Sequence, residues 1–450
     1  MKCKNNWRKL KTESSIIEHS IPKESLNTLS ELLTTAASRH TARRLNDGEC
    51  QTSNEQRCSL CFSSKLDYPT ELTTKQGAIN EFWNSLGTSI PCEPLITSPA
   101  GRRYRTVSKR KAFIVGKRFF LGLIGVDDDS ARSYPMDIMD CAIEPASHAH
   151  IYAVIQEMLQ RKEQSTLVKE FNYVIVKGDD REAIVILNMN HFSSANRREV
   201  NALSKSLTFK AKNVAGVYVF VDEERSKYYL SGTPRKGAQS NPKPLTKIYG
   251  SDKLFHKLGN IKYLYSPLSF SQTNHSILES FVGKAKEMLA PSKQDILFDL
   301  YCGYGLFSIA MASEVRTVTG IELSRSSIND AVENAQRNKM NNIRFQAADI
   351  SVDTLPRFFG EKLQSQLRDS GGKGLKFLID PPRNGTSEDV IEYLAEQSPE
   401  RVVHIFCNAD IIDKELRKWK QCGYVPTKAQ PFDMFPGTNE IEMMVLLQRM

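Results

Sequence analysis

FDLYCGYGLFSIA, residues 298–310, joins an apolar run (Ile296, Leu297, Phe298) ending in Asp299 to a second run (Leu306, Phe307, Ile309, Ala310) at helical spacing, with Gly303 and Gly305 between them. This reads as a strand, a tight turn and a helix start. Glycine lets a backbone approach a ligand closely, and the free N–H groups of a helix start favour an electron-rich one. A dinucleotide fingerprint would place a third glycine at 308, where Ser308 stands. The turn alone therefore marks a nucleotide-like site without naming the nucleotide.

Outward from it, strands and helices alternate, the pattern of a parallel sheet covered on both faces. Strands are expected at 296–300, 317–321, 343–346, 377–379, 402–406 and 443–447, and helices near 306–314, 325–339, 352–367, 386–397 and 410–421. In such α/β sheets ligands lie at the carboxyl ends of the strands. The second strand ends in Glu322, nineteen residues after Gly303, where an acid receives ribose hydroxyls. The third runs into Asp349, a carboxylate suited to an adenine amine, and the fourth into Asp380-Pro381-Pro382-Arg383, whose prolines stop the strand. Each acid alone reads as a cap or a surface charge. Together at successive strand ends they point to S-adenosylmethionine rather than NAD. The fifth strand ends in Phe406-Cys407-Asn408 just before a helix, where the helix dipole would lower the thiol pKa and favour a nucleophilic thiolate; a buried structural thiol is the bland reading.

At 450 residues the chain is long enough for two or three domains. Residues 1–46 read as a flexible arm with one marginal helix over 26–37, residues 47–265 as an α+β domain, and residues 266–450 as the alternating domain. The net charge is +9, which favours an anionic partner, and its placement is more telling. Between Gly101 and Arg118 lie eight Arg or Lys residues and no acid, with Tyr104 and Phe113 among them. Alternation over 103–107 and 111–115 predicts a hairpin, and a basic, aromatic-bearing sheet face suits RNA by phosphate contact and stacking. A solvated strand face is the plainer alternative. The longest apolar run outside the 298–310 region, 119–126, is too short to span a bilayer, so no membrane partner is expected. The nine cysteines are scattered and no signal peptide precedes them, which fits a reducing, cytoplasmic compartment; an organelle transit peptide has no support. Cys50, Cys58 and Cys61, with Cys141 as a distant fourth, suit a metal or iron–sulfur site better than disulfides.

Taken in order, Phe270-Ser-Gln272-Thr-Asn274, Asp299-Leu-Tyr301-Cys-Gly303-Tyr-Gly305, Gly320-Ile-Glu322, Asp380-Pro-Pro-Arg383, Cys407-Asn408 and Asp433-Met-Phe435-Pro436 running to Glu442 resemble the RNA uracil-5 methyltransferase family. The resemblance implies a Rossmann-like class I methyltransferase domain that makes 5-methyluridine. Gln272, Tyr301, Glu322 and Asp380 would contact S-adenosylmethionine, Cys407 would be the nucleophile and Glu442 the base. The cysteine spacing resembles the iron–sulfur members, so that Cys50, Cys58, Cys61 and Cys141 would hold a [4Fe-4S] cluster, with zinc as the alternative and rRNA favoured over tRNA as substrate. A monomer is expected. The family's usual Ser before the cysteine and Pro after the Asn are replaced by Phe406 and Ala409, and histidines before the terminal acid by residues including Gly437 and Glu440. These departures raise a second reading, a catalytically impaired RNA-binding or folding factor; methylation of a protein or small molecule would leave Cys407 and the basic hairpin unexplained.

Overall fold

In the computed structural model, residues 28–39, 50, 61, 66–126, 132–160, 166–223, 245–360 and 374–450 are described. The helices α1 (Leu29–Ser38) and α2 (Tyr68–Ser85) come first, followed by β1 (Val107–Val115), β2 (Arg118–Val126) and β3 (Ser133–Met136). Then come α3 (Ala146–Gln160), α4 (Thr166–Glu170), β4 (Phe171–Gly178), β5 (Ala183–Met189), α5 (Ser194–Lys210), β6 (Val214–Val221) and β7 (Thr246–Gly250). These strands make a seven-stranded sheet in the order β3-β2-β1-β4-β5-β6-β7. The basic stretch differs from its expectation: residues 107–115 are one strand, not two, and pair with 118–126 across a turn at Gly116. Residues 103–106 instead run beside Thr273 and Asn274, Thr106 N–H donating to the Thr273 carbonyl at 2.8 Å.

A two-stranded ribbon, β8 (Leu254–Leu258) and β9 (Ile261–Tyr265), leads into α6 (Leu278–Leu289). The alternating half follows: β10 (Ile296–Leu300), α7 (Leu306–Ala312), β11 (Thr317–Glu322), α8 (Arg325–Arg337), β12 (Ile343–Ala347), β13 (Leu375–Ile379), α9 (Val390–Glu396), β14 (Arg401–Phe406), α10 (Ile412–Gln421), β15 (Tyr424–Phe432) and β16 (Glu442–Arg449). The second seven-stranded sheet has the order β12-β11-β10-β13-β14-β16-β15, parallel except at β16, which runs antiparallel between β14 and β15. A helix expected over 352–367 is a 3-10 turn at Leu355–Phe358, and 361–373 lie outside the described residues.

Side chains alternate across this sheet, so β10 sends Ile296, Phe298 and Leu300 into one core and Leu297 into another. The first core also contains Leu29 and Leu33 of α1 and Ile79, Phe82 and Trp83 of α2. Both N-terminal helices thus pack on the second sheet. The other core is shared with Ile175, Ile184, Ile186, Tyr218 and Phe220 of the first sheet, whose opposite face is covered by α3 and α5. The active end is therefore braced from both sides.

Candidate active site

The carboxyl ends of β10, β11, β13 and β14 gather the acids and the cysteine expected there. After Asp299 the chain turns sharply: Tyr301, Gly303 and Gly305 have φ of 66°, 53° and 87°. Two of these left-handed positions carry glycine, while Tyr301 accepts the strain of a side chain there. Nothing lies within 4 Å of where a Gly303 Cβ would be, so this turn offers bare backbone to a ligand. Asp299 is fully buried, and its Oδ2 accepts from the Ser308 N–H at 2.9 Å and from Ser308 Oγ at 2.6 Å. Ser308, the residue that departs from the dinucleotide fingerprint, is what holds the acid in place. Oδ1 of Asp299 has no hydrogen-bond partner among the described residues.

Glu322 stands at the end of β11, accepting from Gly303 N–H at 3.3 Å and Ser324 N–H at 2.8 Å. Asp380, beyond β13, is half-buried, and burial of its carboxyl with the negative charges of Asp299 and Glu322 raises its pKa to about 7. Burial, partly offset by the Ser308 hydrogen bonds and reinforced by Glu322, likewise raises Asp299 to about 7. Tyr301 is half-buried, and burial with Glu415, Asp349 and Glu322 pushes its hydroxyl pKa up. Asp349 itself is exposed just past β12. Gln272 is buried in a segment gripped on both sides: Thr106 holds the Thr273 carbonyl, and Asn274 Nδ2 donates to Ser98 Oγ at 2.9 Å and to the Met434 carbonyl at 3.1 Å.

Cys407 follows β14, half-buried, with its thiol 3.8 Å from the Pro381 carbonyl. The dipole does not lower its pKa as anticipated. A 3-10 turn capped by Asn408 intervenes, so α10 begins only at Ile412, and burial with the charges of Asp380 and Glu442 raises the thiol to about 12, with Arg383 acting against them. Glu442 opens β16 next to the Phe406–Met443 pairing. It is buried, its Oε2 has no hydrogen-bond partner among the described residues, and burial, Asp380 and Glu440 raise its pKa well above the carboxylate range. Phe406 is buried and stacks on His404 at 4.1 Å, so the substitution beside the nucleophile is accommodated inside the sheet.

One continuous electrostatic array thus runs from Glu322 and Asp299 through Asp380 to Cys407 and Glu442. Crowded acids with orphaned oxygens lack a cation. A ligand carrying a sulfonium and an ammonium meets that need, so the donor set fits S-adenosylmethionine.

Reasoning from sequence missed the supports of this site. Glu71 and Lys75 of α2 and Asp433 form a buried ionic cluster: Lys75 Nζ lies 2.6 Å from Glu71 Oε1 and 2.8 Å from Asp433 Oδ1. Glu71 Oε1 also accepts the Gly437 N–H at 2.5 Å, and Tyr68 donates to Asp433 Oδ2 at 2.9 Å. Lys177 of β4 is buried, with Nζ donating to the carbonyls of Pro267 at 3.0 Å and Ser269 at 2.7 Å, just ahead of Gln272. Arg383 forms a two-pronged ion pair with Glu440, both contacts 2.5 Å. Only sequence separation hid these pairs.

Of the cysteines expected to hold a metal, Cys50 and Cys61 are half-buried and Cys58 lies outside the described residues. Burial raises the Cys141 thiol pKa, as do Glu144 and Cys61, so Cys61 and Cys141 are brought within electrostatic reach of each other. Among the described residues no three His, Cys, Asp or Glu side chains form a metal-holding group, and no helix is long and apolar enough to cross a membrane.

Residues 245–450 match the family model described as tRNA (Uracil-5-)-methyltransferase. An RNA methyltransferase of Oceanobacillus iheyensis is 24% identical over 86% of this chain and 80% of its own length. One from Nanoarchaeum equitans is 33% identical over 54% of this chain and 51% of its own length. The tRNA (uracil-54, C5)-methyltransferase of Pyrococcus abyssi, solved with S-adenosyl-L-homocysteine, shares the fold with a TM-score of 0.61 at 20% identity, over 89% of this chain and 88% of that one.

Proposed function

We propose that the protein, whose residues 245–450 match the tRNA (Uracil-5-)-methyltransferase family model, methylates C5 of a uridine in RNA through a covalent bond between Cys407 and C6. The observation that carries the reading is the juxtaposition of Cys407 and Glu442 at one end of the acid array. Gln272, Tyr301, Glu322 and Asp380 hold S-adenosylmethionine, which supplies an electrophilic methyl group. Uracil C5 is a weak nucleophile. Addition of the Cys407 sulfur to C6 turns the C4–C5–C6 unit into an enolate whose C5 attacks. Glu442 then takes the C5 proton, the C5–C6 double bond re-forms, and the thiolate leaves. A uridine within folded RNA must first be splayed out, which is work for the basic first sheet. An RNA carrying 5-fluorouridine tests this: fluorine cannot leave as a proton, so a covalent protein–RNA complex should accumulate and vanish in Cys407→Ala. Absence of an adduct with any cellular RNA would sink the mechanism.

The cysteine set Cys50, Cys58, Cys61 and Cys141 is assigned to a [4Fe-4S] cluster, supported by the proximity of Cys61 and Cys141. Iron and sulfide content of anaerobically purified protein tests it, and an iron content unchanged in Cys58→Ser or Cys141→Ser would refute it; zinc in place of iron would replace the metal but keep the ligands. By the same family resemblance rRNA is favoured over tRNA, and the cytoplasm is the place of action. Mapping 5-methyluridine in RNA from cells with and without the protein decides between the RNAs. The second reading, an RNA-binding factor with little catalysis, is favoured by the raised thiol of Cys407, and transfer of labelled methyl groups to RNA from a deletion strain separates the two.

A further inference from the structure

Arg383 and Glu440 stand at the mouth of the site, where the family resemblance leads one to expect histidine rather than an acid near the terminal base. The Arg383 guanidinium is 61% exposed and the Glu440 side chain 33%, so solvent and any large ligand can reach the pair. Both Glu440 oxygens engage one guanidinium nitrogen, each at 2.5 Å. The backbone of Arg383 is fixed as well, its carbonyl accepting from Asn408 Nδ2 at 3.2 Å, so the cation is anchored beside the nucleophile. Charges facing this pair are mostly negative: Asp410 of the turn after Cys407, Glu31 of α1 acting on Asp410, and Glu442 and Asp380 deeper in. Arg383 is thus a cation faced by several acids, and the group neutralising it is a surface carboxylate, an anion that offers oxygens to a guanidinium as a phosphate does.

We propose that Arg383 is a phosphate-binding site for the target RNA and that Glu440 occupies it until a backbone phosphate displaces the carboxylate. The inference rests on the RNA-directed reading above and extends it to one contact. Exchange of partners takes from Glu442 a negative charge that opposes its ionisation. The same event that docks RNA therefore readies the base. A phosphate contact by Arg383 fixes position along the RNA backbone, not base identity.

The test uses the full chain, fluorescently labelled rRNA and tRNA transcripts as probes, and the variants Glu440→Gln, Arg383→Gln and the double substitution. Binding is read by anisotropy over a range of salt. Glu440→Gln should tighten binding about tenfold and steepen the salt dependence by roughly one released counterion. Arg383→Gln should weaken binding, and in that background Glu440→Gln should bring no gain, because the acid acts through the arginine. A gain that persists in the Arg383→Gln background would reveal a general field effect and overturn the proposal, as would an affinity and salt slope unchanged in Glu440→Gln. Binding is read without turnover, so a protein that methylates no RNA still answers this question. Circular dichroism of each variant, with Glu440→Ala alongside, guards against loss of fold.

Discussion

Glu442 sits in a pocket poor in water with Asp380 and Glu440 pressing on it, and so keeps its proton to a higher pH than an exposed glutamate. Replacing it by Gln should leave addition and methyl transfer intact while removing the group that takes the C5 proton. The expected result is a covalent protein–RNA complex that accumulates on ordinary uridine RNA, with kcat lowered about 10²- to 10⁴-fold. Asp299 gives a different signature. Its pKa is raised from 3.8 to about 7 on folding. An acid with a raised folded pKa supports folding fully below its unfolded value, and that support is lost as pH rises through the folded one. The free protein should therefore lose thermal stability between those two pH values, whereas a cationic donor gains from the same ionisation. Stabilisation by S-adenosylmethionine over that by S-adenosylhomocysteine, read as the difference in Tm, should grow with pH across the interval and flatten in Asp299→Asn. The acids themselves were legible from sequence because each ends a strand. Their crowding was not, since it depends on how closely neighbouring strand ends converge.

Among the elements, α2 carries the least expected load. It was read as part of a separate central domain, yet Lys75 and Glu71 reach across to Asp433 and Gly437 in the segment leading to Glu442. Lys75→Ala would leave Asp433 buried without its cation, while Glu71 keeps Arg102 at 2.9 Å, and should destabilise the protein by about 3–5 kcal/mol, measured by denaturant unfolding. The strand β15 escaped notice altogether. Pro426 and Pro431 interrupt its pattern, and Lys428 and Gln430 dilute its hydrophobicity. It is the outermost strand of the sheet, paired with β16 on one side and met on the other by residues 93–96, whose Glu93 and Ile96 N–H groups donate to the Ala429 and Pro431 carbonyls at 2.9 and 3.0 Å, so its prolines sit where no full ladder is required of them. The short buried strands β10 and β14 are legible nearly to the residue, and β13 but for its first two, because burial on both faces leaves a mostly apolar run.

At the scale of the molecule, Lys177 is the stitch between the two sheets. It leaves β4 of the first and ends on the Pro267 and Ser269 carbonyls, in the loop that carries Gln272 and leads into the second. Lys177→Met should cost about 1–3 kcal/mol by leaving those carbonyls unpaired, and should raise KM for the methyl donor more than it lowers kcat, as steady-state kinetics would register. The reversed direction of β16 has a wider reach. Cys407 lies where β14 leaves the sheet and Glu442 where β16 enters it, and the two adjoin only because these neighbouring strands run in opposite senses. A nascent chain that has already formed the turn at Gly303 and the strand carrying Cys407 has no base beside the thiol. It also lacks the partner for β15 until the segment through Arg449 has cleared the ribosomal tunnel. With Cys407 and Glu442 in the roles proposed above, synthesis itself would keep the growing polypeptide from completing a reaction on the RNA that surrounds it until β16 inserts beside β14.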